Sequence, residues 1–396
     1  MKPGPLSMVV LGTGLIGTSV ALAARAAGHQ VALGDQNPEH LATAVAMGAG
    51  EPLSADAEVA GQVDLVVVAV PPSAAAAVVA SALAVYPRAT VTDVASVKSP
   101  VVAALLELGA PVERFVPGHP MAGRETSGPR DASAELFRGR SWMLTPTEVS
   151  DRARTAAVAA FVRATGAIVR VMPIDEHDEA VALTSHAPQV VSSLMAARLA
   201  GADPELVTVA GQGLRDVVRI AGSDPVLWSD ILTANAHQVT PVLAALRDDL
   251  DAVVSALNMP DSAVAPASET VLSSSAPPAS SVLLEQRPGS KQGAAQDPRA
   301  RIAEVIARGN LGARLLPAKH GGAAAEYVDV PVEVQDEPGS LGRVFLAAAD
   351  AGINLEDVRI EHTVGRQTAI AHLYVVPGVA EDLSEALDQA GWLVLA

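Results

Sequence analysis

The sequence predicts an α/β chain in three parts: an N-terminal doubly wound parallel sheet, an all-α second domain, and a C-terminal β-α-β-β-α-β unit of the α+β class. Three observations predict this. Short apolar runs alternate with helical segments from residue 7 to about residue 171, as in a parallel sheet covered by helices on both faces. Strand signals then stop, and residues 174–257 read as helix. From Glu326 the hydrophobic period switches to strict alternation, and two strand–helix units follow.

Residues 7–11 form the first buried strand, and the glycine-rich segment 12–17 leads into an Ala-rich helix that ends at about Ala27, with Gly28 as its C-terminal cap. Val31–Leu33, Asp64–Val70 and Ala89–Thr92 read as further strands of the same sheet, with late strands near Trp142–Leu144 and Ala167–Val171. This first domain covers residues 1–173. Ile174–Leu199 reads as one long helix with an acidic start, which suits a helix N-terminus, and Pro188 should kink it. More helix is expected around Leu206–Ile220 and Asp224–Ala256. Residues 258–300 are rich in Pro, Ser, Ala and Gly and read as a flexible linker. Residues 301–325 hold a connecting helix and loop, and residues 326–396 the C-terminal unit.

Composition narrows the function. At 49% apolar and 18% charged, the 396-residue chain can bury a large core and is not a disordered one. With no cysteine, thiolate metal sites, disulfides and cysteine nucleophiles are excluded. A net charge of −17 and 3% aromatics argue against a nucleic-acid partner. Mean hydropathy is positive, but no apolar run approaches the ~20 residues that span a bilayer, and no secretory leader is read. A cytoplasmic enzyme with no membrane contact is the expectation.

The loop Gly12-Thr-Gly-Leu15-Ile16-Gly17 follows a strand and opens a helix, and Asp35 stands 18 positions beyond Gly17 at the end of the next strand. That context makes it a Rossmann dinucleotide site. Gly12 permits the tight turn, and Gly14 lets the backbone approach the pyrophosphate at the helix N-terminus beside Leu15 and Ile16. Gly17 allows the helix to pack on the sheet. Val70, at the end of the Asp64–Val70 strand, borders the same crevice. Asp35 would accept from the ribose hydroxyls and repel a 2′-phosphate. No Arg follows it, so NAD is favoured over NADP.

Hydride transfer from a hydroxyl-bearing carbon needs a proton acceptor. His119 lies in a Gly/Pro-framed segment, Pro117-Gly-His-Pro-Met-Ala-Gly123, just past a predicted strand, where open α/β sheets place ligands. The segment Asp175-Glu-His-Asp-Glu179 is read as an acidic helix start, and no metal is expected.

At this point the residues carry a resemblance. Gly-His-Pro-Met-Ala-Gly-x-Glu-x-Ser-Gly from Gly118, with the N-terminal glycine loop, resembles the prephenate/arogenate dehydrogenase family of tyrosine biosynthesis. Thr92-Asp-Val-Ala-Ser-Val-Lys98 and Gly213-Leu-Arg-Asp-Val-Val-Arg through Trp228 resemble two more of its segments. The resemblance implies NAD-dependent oxidative decarboxylation of prephenate to 4-hydroxyphenylpyruvate. It implies His119 as acceptor for the ring hydroxyl, with Ser96 orienting it. Arg219 would bind a substrate carboxylate, a task its planar fork suits. Trp228 would wall the pocket, Glu125 gate it, and Lys98 and Arg215 supply supporting charge. His186 would face the substrate from the long helix. The family commonly has a second His three residues on, where this chain has Gln189, so arogenate remains an alternative substrate. A homodimer is implied by the family. A different hydroxy-acid dehydrogenase and a non-catalytic NAD-binding sensor are the other readings; the His119 segment argues against the first, and Ser96, His119 and Arg219 together argue against the second.

Asp336-Glu-Pro-Gly339-Ser-Leu341, followed by Gly352-Ile-Asn354-Leu, resembles an ACT domain, a module that binds amino acids at strand–helix turns. Feedback control by tyrosine or another aromatic amino acid is implied. The alternative is a dimerisation module without a ligand.

Overall fold

The computed structural model describes residues 4–54, 60–123, 128–259, 297–316, 327–362 and 367–395. They divide into two compact units, residues 1–247 and 248–396. In the first unit, β1 (Ser7–Leu11), β2 (Gln30–Gly34), β3 (Glu51–Pro52), β4 (Leu65–Val68), β5 (Thr90–Asp93) and β6 (Phe115–Val116) form one parallel sheet in the order β3-β2-β1-β4-β5-β6. The order reverses between β1 and β4, the place where such a sheet holds its ligand.

The chain's short Val-rich runs explain the layering. Met8, Val10, Leu65 and Val67 point to one face, under α1 (Leu15–Ala26). Val9, Val66 and Val68 point to the other, under α3 (Pro72–Val85) and α4 (Ser99–Glu107). All four β4 residues are therefore buried, and no polar alternation is seen. α1 ends where Gly28 adopts φ +89°, as expected for a left-handed cap. α2 (Pro38–Ala46) is capped by the Asn37 side chain, which accepts from Glu39 and His40 N–H.

The late strands depart from the expectation. β8 (Ser141–Leu144) and β9 (Ile168–Val171) do not extend the parallel sheet. They pair with β7 (Gly118–Pro120) in a separate three-stranded sheet, β7-β8-β9, in which β7 and β8 are antiparallel. A residue pair, His119 and Met143, sits in register there, so His119 is on a strand and not in a loop. α5 (Arg152–Ala164) connects β8 to β9 and starts on an Asp151 cap.

The long helix is also broken. α6 (Ile174–Val181) runs into a π turn at Ala182–His186, and α7 (Ala187–Leu199) follows. Pro188 lacks an N–H and its ring crowds the carbonyl four residues back. The wider turn accommodates it, with Ala187 N bonding Ala182 O. Then come α8 (Pro204–Val207), α9 (Gln212–Val218), a 3₁₀ turn at Arg219–Gly222, α10 (Pro225–Ala234) and α11 (Ala236–Leu257).

The second unit contains α12 (Pro298–Ala313), then β10 (Val328–Gln335), α13 (Ser340–Asp350), β11 (Asp357–His362), β12 (Thr368–Val375), α14 (Ala380–Gln389) and β13 (Leu393–Val394). Its sheet is antiparallel in the order β11-β12-β10-β13, the split β-α-β topology expected. Val330, Val332 and Val334 alternate inward with Ala371, Leu373 and Val375 against Val344, Leu383 and Leu387. Most of the Pro/Ser/Ala-rich linker (260–296) lies outside the described residues, as do Glu125 and residues 317–326. No described helix is long and apolar enough to cross a membrane.

Candidate active site

The site is built along the carboxyl edge of the parallel sheet. Gly12, at φ +97°, follows β1 directly, and its N–H bonds Gly34 O at 2.7 Å. A Cβ on Gly12 would fall 2.2 Å from Ala69 O, and one on Gly17 would fall 1.9 Å from Gly12 O. Both positions therefore require glycine. Gly14 faces open space, and no side chain caps the N-terminus of α1. The loop thus presents uncapped amides to a cradle that fits the pyrophosphate of a dinucleotide. Leu15 is buried beneath it, Ile16 is half-buried, and Val70 lies beside Gly12.

Asp35 follows β2 directly and ties back to the loop. It accepts from Thr13 N at 2.5 Å, Thr13 Oγ1 at 2.7 Å and Asn37 N at 2.7 Å. Burial works to raise its pKa, and these hydrogen bonds together outweigh it, so the carboxyl stays below its ordinary range and ionised. An ionised carboxylate here suits ribose hydroxyls and repels a 2′-phosphate.

A second group of buried polar residues gathers around His119. Asp93, last in β5, accepts from Gly118 N at 3.0 Å and Ala95 N at 3.2 Å. Lys98 ion-pairs with Asp93 and donates to Gly118 O at 2.8 Å. Both side chains are fully buried. Burial lowers the Lys98 pKa, against the pull of Asp93 and Asp178. Lys98 was expected to lend charge to the substrate; its ammonium is instead spent inside the protein, pinning the strand that carries His119. Gly118 has no room for a side chain, since a Cβ would lie 2.9 Å from Asp93 O and 3.1 Å from Trp142 Nε1.

His119 is buried, and its Nδ1 lies 2.9 Å from His177 Nε2. His177 Nδ1 lies 2.8 Å from Asp178 Oδ1. Asp178 also accepts from Lys98 N at 2.9 Å and Ser99 N at 2.8 Å. Burial raises the Asp178 pKa, but the hydrogen bonds from His177, Ser99 and Lys98 together hold it low. Burial drives His119 well below the usual histidine range, with His177, Lys98 and His186 adding to the effect and Asp178 opposing it. His119 is therefore neutral at physiological pH, as a proton acceptor must be.

His186 closes the π turn. Asn235 Nδ2 lies 3.1 Å from His186 Nδ1 and donates to Asp178 O at 2.8 Å. Burial lowers His186 to about 4, against Asp178 and with His177. Trp228 is half-buried and stands edge-on to His186, ring centroids 6.1 Å apart. Ser96 is half-buried in the connection from β5 to α4. Arg219 and Arg215 are exposed, Arg219 on the 3₁₀ turn and Arg215 on α9. Gln189 is buried, donating to Ile220 O at 3.0 Å and Ser193 Oγ at 3.3 Å. Gln189, a substrate-binding candidate, thus uses its NH₂ group to brace the turn that carries Arg219.

Sequence reasoning missed His177, Asp178 and Asn235. The first two lie inside the segment read as an acidic helix start. A signal was present: Ile174, His177, Asp178 and Val181 form an i, i+3, i+4, i+7 stripe, which places both side chains on the inward face. Among the described residues no cluster fit to hold a metal is found.

Two family models match the chain: prephenate dehydrogenase, nucleotide-binding domain, over residues 20–171, and prephenate dehydrogenase, dimerization domain, over residues 173–263. The chain belongs to the prephenate dehydrogenase family. A Streptomyces niveus protein named "Probable prephenate dehydrogenase NovF" is 33% identical over 97% of this chain and 98% of its own length. A crystal structure of prephenate dehydrogenase from A. aeolicus, in complex with hydroxyphenyl propionate and NAD+, is 31% identical. It covers 65% of this chain and 92% of that one, with a TM-score of 0.58. Synechocystis arogenate dehydrogenase is 27% identical over 64% of this chain and 92% of that one, with a TM-score of 0.54. This member of the prephenate dehydrogenase family is thus an oxidoreductase with an NAD-binding domain.

Proposed function

We propose that this chain catalyses the NAD-dependent oxidative decarboxylation of prephenate to 4-hydroxyphenylpyruvate. The observation that carries the reading is His119, a buried neutral imidazole pinned by Asp93 and Lys98 to the same sheet edge as the dinucleotide loop. The Gly12–Gly17 loop, the α1 N-terminus, Asp35 and Val70 would hold NAD, which supplies the hydride acceptor. His119 takes the proton of the ring hydroxyl as hydride leaves the same carbon. The ring carboxylate departs as CO₂, its bonding electrons complete the aromatic ring, and the phenolate oxygen so formed takes the proton back from His119. Aromatisation supplies the driving force, so the protein's work is to bind, to orient, and to hold one proton until the phenol forms.

Ser96 would hydrogen-bond the same hydroxyl. Arg219 would bind a substrate carboxylate, with Arg215 adding positive charge nearby. His186 and Trp228 would wall the pocket; Glu125, to which the resemblance gives a gating role, lies outside the described residues. Leu183, Val191, Leu194, Leu206 and Val226 leave the helical segment strongly exposed and apolar, which supports a homodimer through it. A cytoplasmic location fits the biosynthetic role. The C-terminal unit would be an ACT-type regulator that binds an aromatic amino acid at the turn after β10. Gly339 adopts φ +86° there, Asp336 N bonds Gln367 O, Leu341 packs on the core, and Asn354 donates to Glu356.

The test is purified protein with NAD and either prephenate or arogenate, read by NADH absorbance. Turnover of prephenate is expected, and no NADH from either substrate overturns the reading. Faster turnover of arogenate would reassign the substrate. His119→Asn should lower kcat by roughly 10²–10⁴-fold with NAD affinity retained. Tyrosine added to the full chain, and to a Gly339→Val variant, tests the regulator: inhibition in the first and its loss in the second are expected.

A further inference from the structure

We propose that Asp178 locks the two pocket histidines in opposite tautomers, leaving His119 with a bare Nε2 that accepts a proton and His186 with an Nε2–H that donates to the substrate. His177 and Asn235 transmit the effect. All three act as positioning residues. The catalytic meaning of this rests on the oxidative decarboxylation proposed above, while the tautomers themselves do not.

The first branch starts at the Asp178 carboxylate. It receives the backbone N–H groups of Lys98 and Ser99, and Oδ1 also faces His177 Nδ1 at 2.8 Å. A carboxylate only accepts, so His177 Nδ1 carries the hydrogen. A neutral imidazole has one N–H, so His177 Nε2 is a lone pair. That lone pair faces His119 Nδ1 at 2.9 Å, which must therefore carry the hydrogen. His119 Nε2 is left bare.

The second branch starts at the Asp178 backbone carbonyl. It accepts from the Asn235 side chain at 2.8 Å. A carbonyl cannot donate, so the facing atom is the amide NH₂, and the orientation of Asn235 is settled. The same NH₂ faces His186 Nδ1 at 3.1 Å, so that nitrogen is the acceptor and the hydrogen sits on Nε2. The charged and titratable groups that act on the rings are Lys98, His177, His186 and Asp178 at His119, and Asp178 and His177 at His186. Burial keeps His119 and His186 neutral; the first branch holds with His177 neutral too, since a hydrogen on both His177 nitrogens would reverse the His119 tautomer that the spectra read.

One residue thus makes an acceptor of one histidine and a donor of the other. The first branch also gives the abstracted proton a route. The substrate O–H bond breaks as a bond to His119 Nε2 forms. His119 Nδ1–H then passes its proton to His177 Nε2, and the positive charge comes to rest beside the Asp178 carboxylate. A triad base is held in its working tautomer by the same logic.

The test is ¹⁵N-histidine labelling of the full chain, with His119 and His186 assigned from His119→Asn and His186→Asn spectra. Long-range ¹H–¹⁵N spectra at neutral pH should show an unprotonated Nε2 on His119 and an unprotonated Nδ1 on His186. Any other pairing overturns the proposal, whether or not the enzyme turns over prephenate. In kinetics, His177→Phe should lower kcat by about 10²-fold or more with KM and NAD affinity within about twofold. His177→Gln, whose Oε1 can still accept from His119 Nδ1–H, should recover at least tenfold of that loss. Asn235→Leu should raise KM and free the His186 tautomer while leaving the His119 signals unmoved. Equal losses in His177→Phe and His177→Gln would refute the relay. Failure of wild type on both substrates would refute the reaction and leave the spectra to decide this point.

Discussion

Lys98→Met is the most informative single change outside the substrate pocket. The substitution keeps the volume and removes one charge. It strands the Asp93 carboxylate, which is fully buried and would retain only the Gly118 and Ala95 N–H groups. Removing one partner of a buried ion pair costs about 3–5 kcal/mol, because the remaining charge is uncompensated. For a unit of this size each kcal/mol moves Tm by about 2–4 °C, so a fall of roughly 6–20 °C is expected. Thermal unfolding followed by circular dichroism at neutral pH reads this directly. The double variant Asp93→Asn/Lys98→Met removes both charges of this pair and keeps an acceptor for Gly118 N. It should recover most of the lost stability, with the orphaned Gly118 carbonyl accounting for about 1–3 kcal/mol of the remainder. A Tm for Lys98→Met within about 2 °C of wild type would refute the reasoning. So would a double variant no better than the single one.

Three more outcomes follow from the geometry. Gly17→Ala places a methyl 1.9 Å from Gly12 O, so the loop must move, and NAD affinity measured by calorimetry should fall at least about tenfold. Stability should decline as pH falls from about 6.5 toward 4. His186 has a depressed pKa of about 4, so the unfolded chain protonates first; its contribution of roughly 2–3 kcal/mol is whole above pH 6.5 and lost toward pH 4. His119 acts in the same direction, and a urea midpoint that does not change across that window would count against two buried neutral rings. Gln189→Ala should raise KM for prephenate and arogenate alike by about 2–10-fold, the worth of one neutral hydrogen bond to Ile220 O. A tenfold change in the ratio of the two substrates would instead mean that Gln189 reads the substrate.

What could be seen in the sequence divides along a physical line. The Rossmann sheet and the C-terminal unit were legible because each buries one periodic face. Strand boundaries at Ser7–Leu11 and Thr368–Val375 follow the Val and Ala pattern closely. The glycine loop was legible because sterics alone demand glycine at Gly12 and Gly17. The three-stranded sheet was not, since β7 is only three residues long and its pairing with β8 spans a separation that no local pattern encodes. Lys98 looked like a charge offered to substrate because its type says nothing about its partner. Only the fold brings it to Asp93 and Gly118 O.

The same limit explains Asp178. An acidic residue near the start of a helix has an inexpensive default, which is to face water. Here the Ile174/His177/Asp178/Val181 stripe turns it inward, and desolvating a carboxylate is unfavourable unless hydrogen bonds replace the water. Two backbone amides and one imidazole do so. Those amides belong to Lys98 and Ser99, so the same bonds that keep the carboxylate ionised also tie α6 to the start of α4. The neutral His119 and the position of its partner ring are then one problem with one solution: a carboxylate held charged, two bonds away from the ring that must stay uncharged. Composition and spacing register the residues on that path, but the path exists only once the helix has docked on the sheet edge.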